Sequence, residues 1–283
     1  MSGISQPQEL LSEEEVKQYQ EKGFVHEVQL LDAEETEELQ RNYERIKQML
    51  PEGQTLQDFA QWAHFNDYIY KLATHPRLLR HVASLIGPSF YAWDGFFFQK
   101  NPYQDIRSQW HQGWGVWPLV YKDDNKLPGP IVTVLLAIYD CTKENGCLKV
   151  IPDTARKGMM THGLFDKPLS TYLFRREVPE EDLSEEELAS VVYLESKAGH
   201  VSFHSEGTPH ASDGNTSPTE RAAISFRYAP YTVHYDTKIW PNFTVLPCQA
   251  DYPEDAHRIH PAPTTFGYAQ PDDFPHMPPK EYT

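Results

Sequence analysis

After Gly87 the chain is built of short runs rich in β-branched and aromatic residues, which clusters of Gly, Pro and Asn separate. The runs are Phe90–Phe98, Ile131–Tyr139, Cys147–Ile151, His200–His204 and Arg221–Tyr228. Runs of this length with such boundaries are typical of strands in a β-sandwich or barrel. The pattern therefore predicts a mainly β body after Gly87 and argues against a helical bundle.

The first part of the chain carries helix signals instead. Ser12 is followed three residues later by Glu15, which is the pattern of a capping box at a helix start. Asp32 and Glu35 repeat this pattern, and Ser184 begins a third example in a short acidic stretch. We therefore expect helices near the N-terminus and one short surface helix inside the β region.

The order of these signals predicts the domain organisation. A length of 283 residues divided by about 150 per domain gives about 1.9 domains, which is a weak prior. We expect one domain over 1–283, because the helices precede a single set of strands. In this interpretation 1–88 is a mostly helical flank, 89–240 is the β core, and 241–283 is a Pro-rich segment that wraps around it.

Composition excludes several classes of protein. The chain carries 25 Lys and Arg against 41 Asp and Glu, which gives a net charge of −16. That charge argues against binding to a nucleic-acid duplex or to an anionic membrane surface, which both require basic residues. The longest apolar run, Ile131–Tyr139, is about half as long as a membrane-spanning helix. Three cysteines and the lack of a signal-like start predict a soluble protein of the reducing cytoplasm.

Two histidines stand in neighbourhoods that suggest a metal site. His111 follows a strand within Gln-Trp-His-Gln-Gly, and His210 follows the strand that ends at His204. Arg221 opens the next strand eleven residues after His210, a spacing that can bring a guanidinium beside a metal. A lone histidine is more often structural than a ligand, and His204 is a rival to His210 as the ligand in this region.

At these residues the sequence resembles the phytanoyl-CoA dioxygenase family of iron(II)/2-oxoglutarate oxygenases. The resemblance covers most of the chain and includes Glu13–Val25, Glu144–Pro152 and His210–Tyr228. It implies a double-stranded β-helix, the jelly roll of cupin-like proteins, with flanking N-terminal helices. This fold agrees with the mainly β pattern described above.

The resemblance also implies the metal ligands. In the family a His-x-Asp motif and a distal histidine form a two-histidine, one-carboxylate iron site. Carried over to this sequence, His111 and His210 are the iron-binding histidines. The carboxylate is expected at position 113, but that residue is Gly113.

The absence of a carboxylate at Gly113 predicts a different reaction. Without it, iron(II) with 2-oxoglutarate bound has an additional open position and one negative charge fewer. A chloride or bromide ion restores both, and a glycine leaves room for the ion. The pattern resembles that of the iron/2-oxoglutarate halogenases, so the sequence predicts chlorination of an unactivated C–H bond. The expected cofactors are Fe(II), 2-oxoglutarate, O₂ and chloride or bromide, with succinate and CO₂ as co-products.

The same comparison assigns residues to the cosubstrate. Arg221 is expected to bind the distal carboxylate of 2-oxoglutarate as a bidentate fork. Ser212 is expected to add a hydroxyl hydrogen bond to that carboxylate. Gln112 and Gln99 are further candidates for the 2-oxoglutarate shell.

Several alternatives remain open at Gly113. It can be a simple turn glycine, or a carboxylate from elsewhere can replace the missing one, with Asp105, Asp123 and Asp124 nearby in sequence. A laboratory Asp→Gly replacement would look the same. The protein is then a hydroxylase or desaturase of the same fold. A non-catalytic binding protein on a decayed oxygenase scaffold is the alternative of another class.

The substrate is expected to be a free-standing small molecule, such as a nucleoside or nucleotide, an alkaloid or terpenoid, or an amino acid. A substrate tethered to a carrier protein is not excluded. Aromatic residues crowd the metal motif: Trp93, Phe96, Phe98, Trp110, Trp114 and Trp117. The basic pairs Arg156-Lys157 and Arg175-Arg176 can anchor an anionic group, although solvated surface charge is the simpler explanation for them.

Overall fold

A computed structural model gives the fold of most of the chain. The structure describes residues 6–93, 95–113, 119–121, 131–153, 158, 160, 163–164, 176–235, 244–248 and 259–267. Its helices are α1 (Glu13–Lys22), α2 (Ala33–Met49), α3 (Trp62–Phe65), α4 (Asp67–Ala73), α5 (Pro76–Ile86) and α6 (Glu185–Ala189). The strands are β1 (Phe24–Gln29), β2 (Phe90–Ala92), β3 (Phe96–Lys100), β4 (Ser108–His111), β5 (Leu119–Tyr121), β6 (Val132–Ala137), β7 (Leu148–Val150), β8 (Gly163–Leu164), β9 (Arg176–Glu177), β10 (Val192–Leu194), β11 (His200–Ser205), β12 (His210–Ser212), β13 (Arg221–Pro230), β14 (Val233–Tyr235) and β15 (Leu246–Pro247).

The predicted capping boxes begin three of these helices. Ser12 caps α1, Asp32 caps α2 and Ser184 caps α6, each with reciprocal hydrogen bonds to the glutamate three residues later. Each box satisfies backbone N–H groups that lack a partner at a helix start. Gly23 ends α1 in the left-handed conformation, with a φ of 84° that suits glycine.

Two antiparallel sheets form the body of the protein. The large sheet has the strand order β1-β11-β6-β13-β2-β15, with β3 also paired to β13. The small sheet has the order β10-β7-β12-β4, and a cavity lies between the two sheets. All five predicted runs contain strands, and the first of them is divided into β2 and β3. The predicted mainly β jelly roll with flanking helices is therefore confirmed.

Alternation along the central strands separates the core from the cavity. Phe203, Val134 and Phe226 form one row across β11, β6 and β13 and belong to the hydrophobic core shared with the helices. The next row, His204, Thr133 and Arg227, lines the cavity between the sheets. Because successive side chains of a strand point to opposite faces, one face of the large sheet packs and the other can carry chemistry.

The predicted segments are more interlocked than their boundaries suggest. Strand β1 lies within the helical flank 1–88 and pairs with β11 of the core. Strand β15, from the segment 241–283, pairs with β2. Both ends of the described chain thus add strands to the large sheet. Among the described residues, no helix has the length and apolar character that a membrane span requires.

Candidate functional site

The two predicted iron-binding histidines lie side by side in the small sheet. His111 at the end of β4 is the register partner of His210 at the start of β12, and their ring centroids are 4.1 Å apart. The Nδ1 atom of each ring lies 2.8 Å from a backbone carbonyl two residues earlier, that of Gln109 and that of Thr208 respectively. An Nδ1–H that donates to a carbonyl leaves the lone pair on Nε2, which is the tautomer that binds metals.

A cavity of about 440 Å³, counted with the solvent at its mouth, contains both histidines in its wall. The small sheet contributes Ser108, His111, Leu148, His210 and Ser212, and the large sheet contributes Phe98, Thr133, Leu135, His204, Arg221, Ser225 and Arg227. The wall therefore combines three imidazoles, two guanidinium groups, several hydroxyls and a few apolar side chains.

Arg221 lies in the wall of this cavity. It is only 2% exposed, and its guanidinium donates one hydrogen bond of 3.3 Å to the carbonyl of Phe98. Within the part of the chain that the structure describes, its Nε atom has no hydrogen-bond partner. A buried guanidinium with an unsatisfied donor is suited to an anion that enters the cavity.

Lys100 is a second buried basic residue beside Arg221, and the sequence analysis did not identify it. It is the register partner of Arg221 across β3 and β13, and its Nζ donates to the Ser212 hydroxyl at 2.8 Å and to the Asp213 carbonyl. Burial and the neighbouring Arg221 guanidinium lower the pKa of Lys100 to about 6. Ser212 therefore contacts Lys100 and lines the same cavity as Arg221 and the two histidines.

Gln99 lies on the wrong face of β3 for the predicted role. Its side chain donates to Glu220 Oε1 at 2.7 Å and to Asn101 at 3.3 Å, and it does not line the cavity. Strand alternation explains the error, because Phe98 lines the cavity and Lys100 reaches Ser212 of the small sheet, so the residue between them faces the helices.

Gln112 is also directed away from the cavity. Its amide nitrogen donates to the carbonyl of Gly207 at 2.7 Å, and its amide oxygen accepts from the backbone N–H of Met160 at 2.8 Å. The residue is fully buried and fixes the turn before His210. The structure thus gives Gln112 a positioning role in place of the predicted contact with 2-oxoglutarate.

The space beside Gly113 is filled. An ideal Cβ built on Gly113 would lie 2.8 Å from Cγ of Glu206, which is closer than real Cβ contacts. The Gly113 N–H also donates to the Glu206 carbonyl at 2.9 Å. The Glu206 side chain thus takes up the space next to the Gly113 Cα, and the role of Gly113 in accommodating a halide stays a prediction.

Of the carboxylates proposed as replacements, Asp105 is not at the site. It forms an exposed ion pair with Arg107, at 2.7 Å from Nε to Oδ1. Asp123 and Asp124 lie outside the described residues, as do Trp114, Trp117 and both predicted basic pairs apart from the backbone of Arg176. Across the described ranges, no three His, Cys, Asp or Glu side chains are arranged to hold one metal ion.

His204 is the third imidazole of the cavity. Its ring centroid is 4.5 Å from that of His210. Burial lowers the pKa of His204 to about 3, and Arg227 and His111 add to the effect, so the ring is neutral. The histidines in the cavity wall thus offer imidazole nitrogens as donors, which suits iron(II). The fit of iron to His111 and His210 rests on their Nδ1 hydrogen bonds and their shared cavity wall.

Comparison with known proteins agrees with this geometry. The profile of the family "Phytanoyl-CoA dioxygenase (PhyH)" matches residues 19–223, most of the chain. The chain belongs to the phytanoyl-CoA dioxygenase family. It is 23% identical over 252 residues to peroxisomal phytanoyl-CoA dioxygenase of Bos taurus, with 80% of this chain and 71% of the bovine protein covered. The rat enzyme, from Rattus norvegicus, is 25% identical over 179 residues, covering 54% of this chain and half of that protein.

Solved structures show the same fold as this family member. The apo non-haem monooxygenase ThoJ has a TM-score of 0.72 at 22% identity, with 89% of each chain covered. The epimerase SnoN, in complex with Fe³⁺, α-ketoglutarate and nogalamycin RO, has a TM-score of 0.65 at 19% identity over 93% of this chain and 96% of that one. CytC3 with Fe(II) and α-ketoglutarate has a TM-score of 0.64 at 18% identity over 89% and 94%. These structures show the fold, and the family match over residues 19–223 makes the chain a non-haem iron/2-oxoglutarate oxygenase of the phytanoyl-CoA dioxygenase type.

Proposed function

We propose that this protein couples 2-oxoglutarate oxidation to hydroxylation or desaturation of a C–H bond in a free-standing small molecule. The observation that carries the proposal is the pairing of His111 and His210 on one cavity wall, with the buried Arg221 in the same cavity. When bound, iron(II) and 2-oxoglutarate supply the activation of O₂, with succinate and CO₂ as co-products. The pair of imidazoles and the buried guanidinium of Arg221 argue against a non-catalytic binding protein.

The chain's own residues have separable roles in this proposal. His111 and His210 hold the metal through Nε2, because their Nδ1 atoms are engaged by backbone carbonyls. Arg221, Lys100 and Ser212 hold the distal carboxylate of 2-oxoglutarate. Charge-assisted hydrogen bonds inside a buried cavity are strong and directional, so this seat fixes the orientation of the cosubstrate.

Halogenation is the second candidate function, and Gly113 is the observation that favours it. The position of the family carboxylate carries no ligand here, so chloride or bromide can complete the site if Glu206 moves aside. In this case the product gains a halogen in place of hydrogen, and Gly113→Asp abolishes the reaction. The filled space beside Gly113 is the reason that we place this function second.

The substrate classes proposed are nucleosides or nucleotides, alkaloids or terpenoids, and amino acids, either free or carried by a carrier protein. The cavity wall supports this range, because Phe98, Leu135 and Leu148 offer apolar contact while Arg227 offers a positive charge. A cytoplasmic location is part of the proposal, since the three cysteines are buried and free.

One experiment separates these functions. Purified protein is loaded with Fe(II) under anaerobic conditions and mixed with 2-oxoglutarate, O₂, chloride and a panel of candidate small molecules. Succinate is quantified, and products are identified by mass spectrometry as gain of oxygen, loss of two hydrogens or gain of chlorine. We expect 2-oxoglutarate-dependent succinate formation and oxygenated or desaturated products. Chlorinated product would select the second candidate.

Variants of the histidines provide the control. His111→Ala and His210→Ala are expected to lower succinate formation by at least ~100-fold, because each removes a metal ligand. His26→Ala, on β1 outside the cavity, is the matched control and is expected to keep the wild-type rate within about twofold. Equal rates in all four proteins would refute the proposed site.

A further inference from the structure

The side chain of Glu206 packs against Gly113, the position at which the family resemblance places a carboxylate. The Cβ of any residue other than glycine at position 113 would lie 2.8 Å from Glu206 Cγ, while Glu206 Cα and Cβ would lie at an ordinary 3.6 Å. The conflict is therefore with the side chain of Glu206 from Cγ onward. A side chain at position 113 and Glu206 in its present conformation exclude each other.

The turn that carries Glu206 is tied to the metal-binding strands. The Glu206 carbonyl accepts from the Gly113 N–H at 2.9 Å, and the Glu206 N–H donates to the Ile131 carbonyl at 3.2 Å. Next to it, the Gly207 carbonyl accepts from the side chain of Gln112 at 2.7 Å. Gly113 lies two residues after His111, and Glu206 lies four residues before His210. The backbone hydrogen bond from Gly113 to Glu206 holds the two segments together.

Glu206 also places a buried carboxyl group in this region. The residue is 2% exposed. Burial raises the pKa of Tyr19 on α1, and the nearby Glu206 side chain raises it further. An anion that entered beside Gly113 would overlap with the Cγ methylene group of Glu206. This steric overlap opposes binding of a halide.

We propose that Glu206 fills the position that Gly113 vacates and thereby keeps halide away from the metal, so that it determines oxygenation over halogenation. The inference rests on the proposed iron site at His111 and His210. It explains why position 113 is a glycine, because only a residue without Cβ tolerates the Glu206 side chain there. Glu206 is in this sense a specificity-determining residue that acts through the space it occupies.

The packing of the pair is tested without metal, by thermal unfolding of the wild type, Gly113→Ala, Glu206→Ala and the double variant. We expect Gly113→Ala to lower the Tm by a few degrees, because an added methyl group overpacks a filled site. In the Glu206→Ala background the same change is expected to cost nothing. Gly267→Ala is the matched control, since a Cβ there meets only ordinary contacts, 3.6 Å from the Phe65 carbonyl. An equal loss in both backgrounds, or no loss at all, overturns the proposed packing.

The halide role is tested by the visible absorption of the anaerobic Fe(II)–2-oxoglutarate complex. Sodium chloride or bromide is titrated, with sodium sulfate at matched ionic strength as the control salt. We expect no halide-specific change for the wild type or for Glu206→Gln, which keeps the Cγ methylene. A saturable halide-specific change is expected for Glu206→Ala and for Glu206→Ser, which both remove it.

Two results overturn the halide role. The first is a halide response of the wild-type complex, and the second is the absence of a response in both shortened variants. A protein that forms no Fe(II)–2-oxoglutarate complex refutes the proposed function and the halide role together. The thermal measurements on metal-free protein then report separately whether Glu206 and Gly113 share one space.

Discussion

Lys100 and Arg221 are two buried basic side chains next to the cavity: Arg221 lines it, and Lys100 donates to Ser212, which also lines it. They are direct register partners on β3 and β13, and both are almost fully buried. Two buried like charges are unfavourable, and in the ligand-free protein the lowered pKa of Lys100 relieves the conflict by favouring its neutral form. A bound dicarboxylate reverses this balance, because its negative charge favours protonated lysine. We therefore expect the proton on Lys100 to bind together with 2-oxoglutarate.

Proton uptake on 2-oxoglutarate binding is the first residue-scale prediction. Near pH 7.5 about one proton is expected to be taken up per 2-oxoglutarate bound, so the affinity falls as pH rises above about 6. Calorimetry in buffers of different ionisation enthalpy measures this number. Lys100→Met is expected to abolish the uptake and to weaken binding about 10- to 100-fold. An unchanged proton count in the variant would contradict the assignment.

The same lysine predicts a pH dependence of stability. Its pKa is about 6 when folded, against an ordinary value of 10.5, so the unfolded chain binds one more proton in this window. The free energy of unfolding of the metal-free protein therefore gains a contribution that increases from pH 6 to pH 10.5, with a slope of up to about 1.4 kcal/mol per pH unit. The difference between wild type and Lys100→Met in urea unfolding at several pH values measures the slope. If the free energies of unfolding of the wild type and Lys100→Met change in parallel with pH, Lys100 is protonated in the folded protein.

At the scale of elements, a polar cluster joins α2 to the start of β13. The buried Tyr43 hydroxyl donates to Glu220 at 2.5 Å, and Lys47 and Gln99 donate to the same carboxylate. Glu220 directly precedes Arg221, so the helix fixes the strand at the point where it enters the cavity. The outer face of β3 and β13 thus supports the position of the cation on the inner face.

Removing one bond of this cluster provides an element-scale prediction. Tyr43→Phe is expected to lower the free energy of unfolding by about 1.5–3 kcal/mol, because a hydrogen bond from a buried hydroxyl to the half-buried Glu220 carboxylate is lost. Urea unfolding measures the loss. Tyr103→Phe is the control, since Tyr103 is 69% exposed, and it is expected to change stability by less than about 0.5 kcal/mol. A similar loss of unfolding free energy in both variants would show that the cluster does not stabilise the start of β13 beside Arg221.

Patterns within single elements were predictable from the sequence, whereas contacts between distant elements were not. Capping boxes and short apolar runs are local signals, and they placed α1, α2 and most strands of the two sheets. The face of each strand was a weaker signal: Phe96-Phe97-Phe98 is apolar on both faces, so the alternation that places Lys100 inside and Gln99 outside was hidden. A lysine at the end of such a strand, two residues after an inward Phe, was the available signal.

The pairing of Gly113 with Glu206 had no local signal. The two residues are far apart in sequence, and only the turn between β11 and β12 brings them together. A glutamate four residues before a proposed ligand, in a turn that the fold must bury, was the one hint in the sequence. His111, His210, Ser212 and Arg221 were found because the family resemblance carries spacing along the chain, and their burial in one cavity agrees with it.

At the scale of the whole molecule, the site lies between two sheets that different parts of the chain build. Ligands that bridge the sheets are therefore expected to stabilise the entire fold. 2-Oxoglutarate with Mn(II), as a redox-stable stand-in for iron, at about 100 times its Kd is expected to add about 2.7 kcal/mol to the free energy of unfolding. Thermal unfolding with and without the pair measures this gain. Arg221→Met is expected to remove the part due to 2-oxoglutarate, and an undiminished gain would place the cosubstrate elsewhere.

Strand β1, which lies in the helical flank, protects the edge of the large sheet from pairing with other chains. It covers one edge of β11, and a register irregularity between Val25 and Val28, with Glu27 at a φ of 60°, distorts the new edge that it presents to solvent. Bulged, charged edge strands resist pairing with other chains, whereas an uncovered, regular β11 would be able to pair with them. Proteolysis after Gln29 would thus expose the unpaired edge of β11, next to the turn that carries Glu206. We expect the cleaved protein to self-associate through this edge.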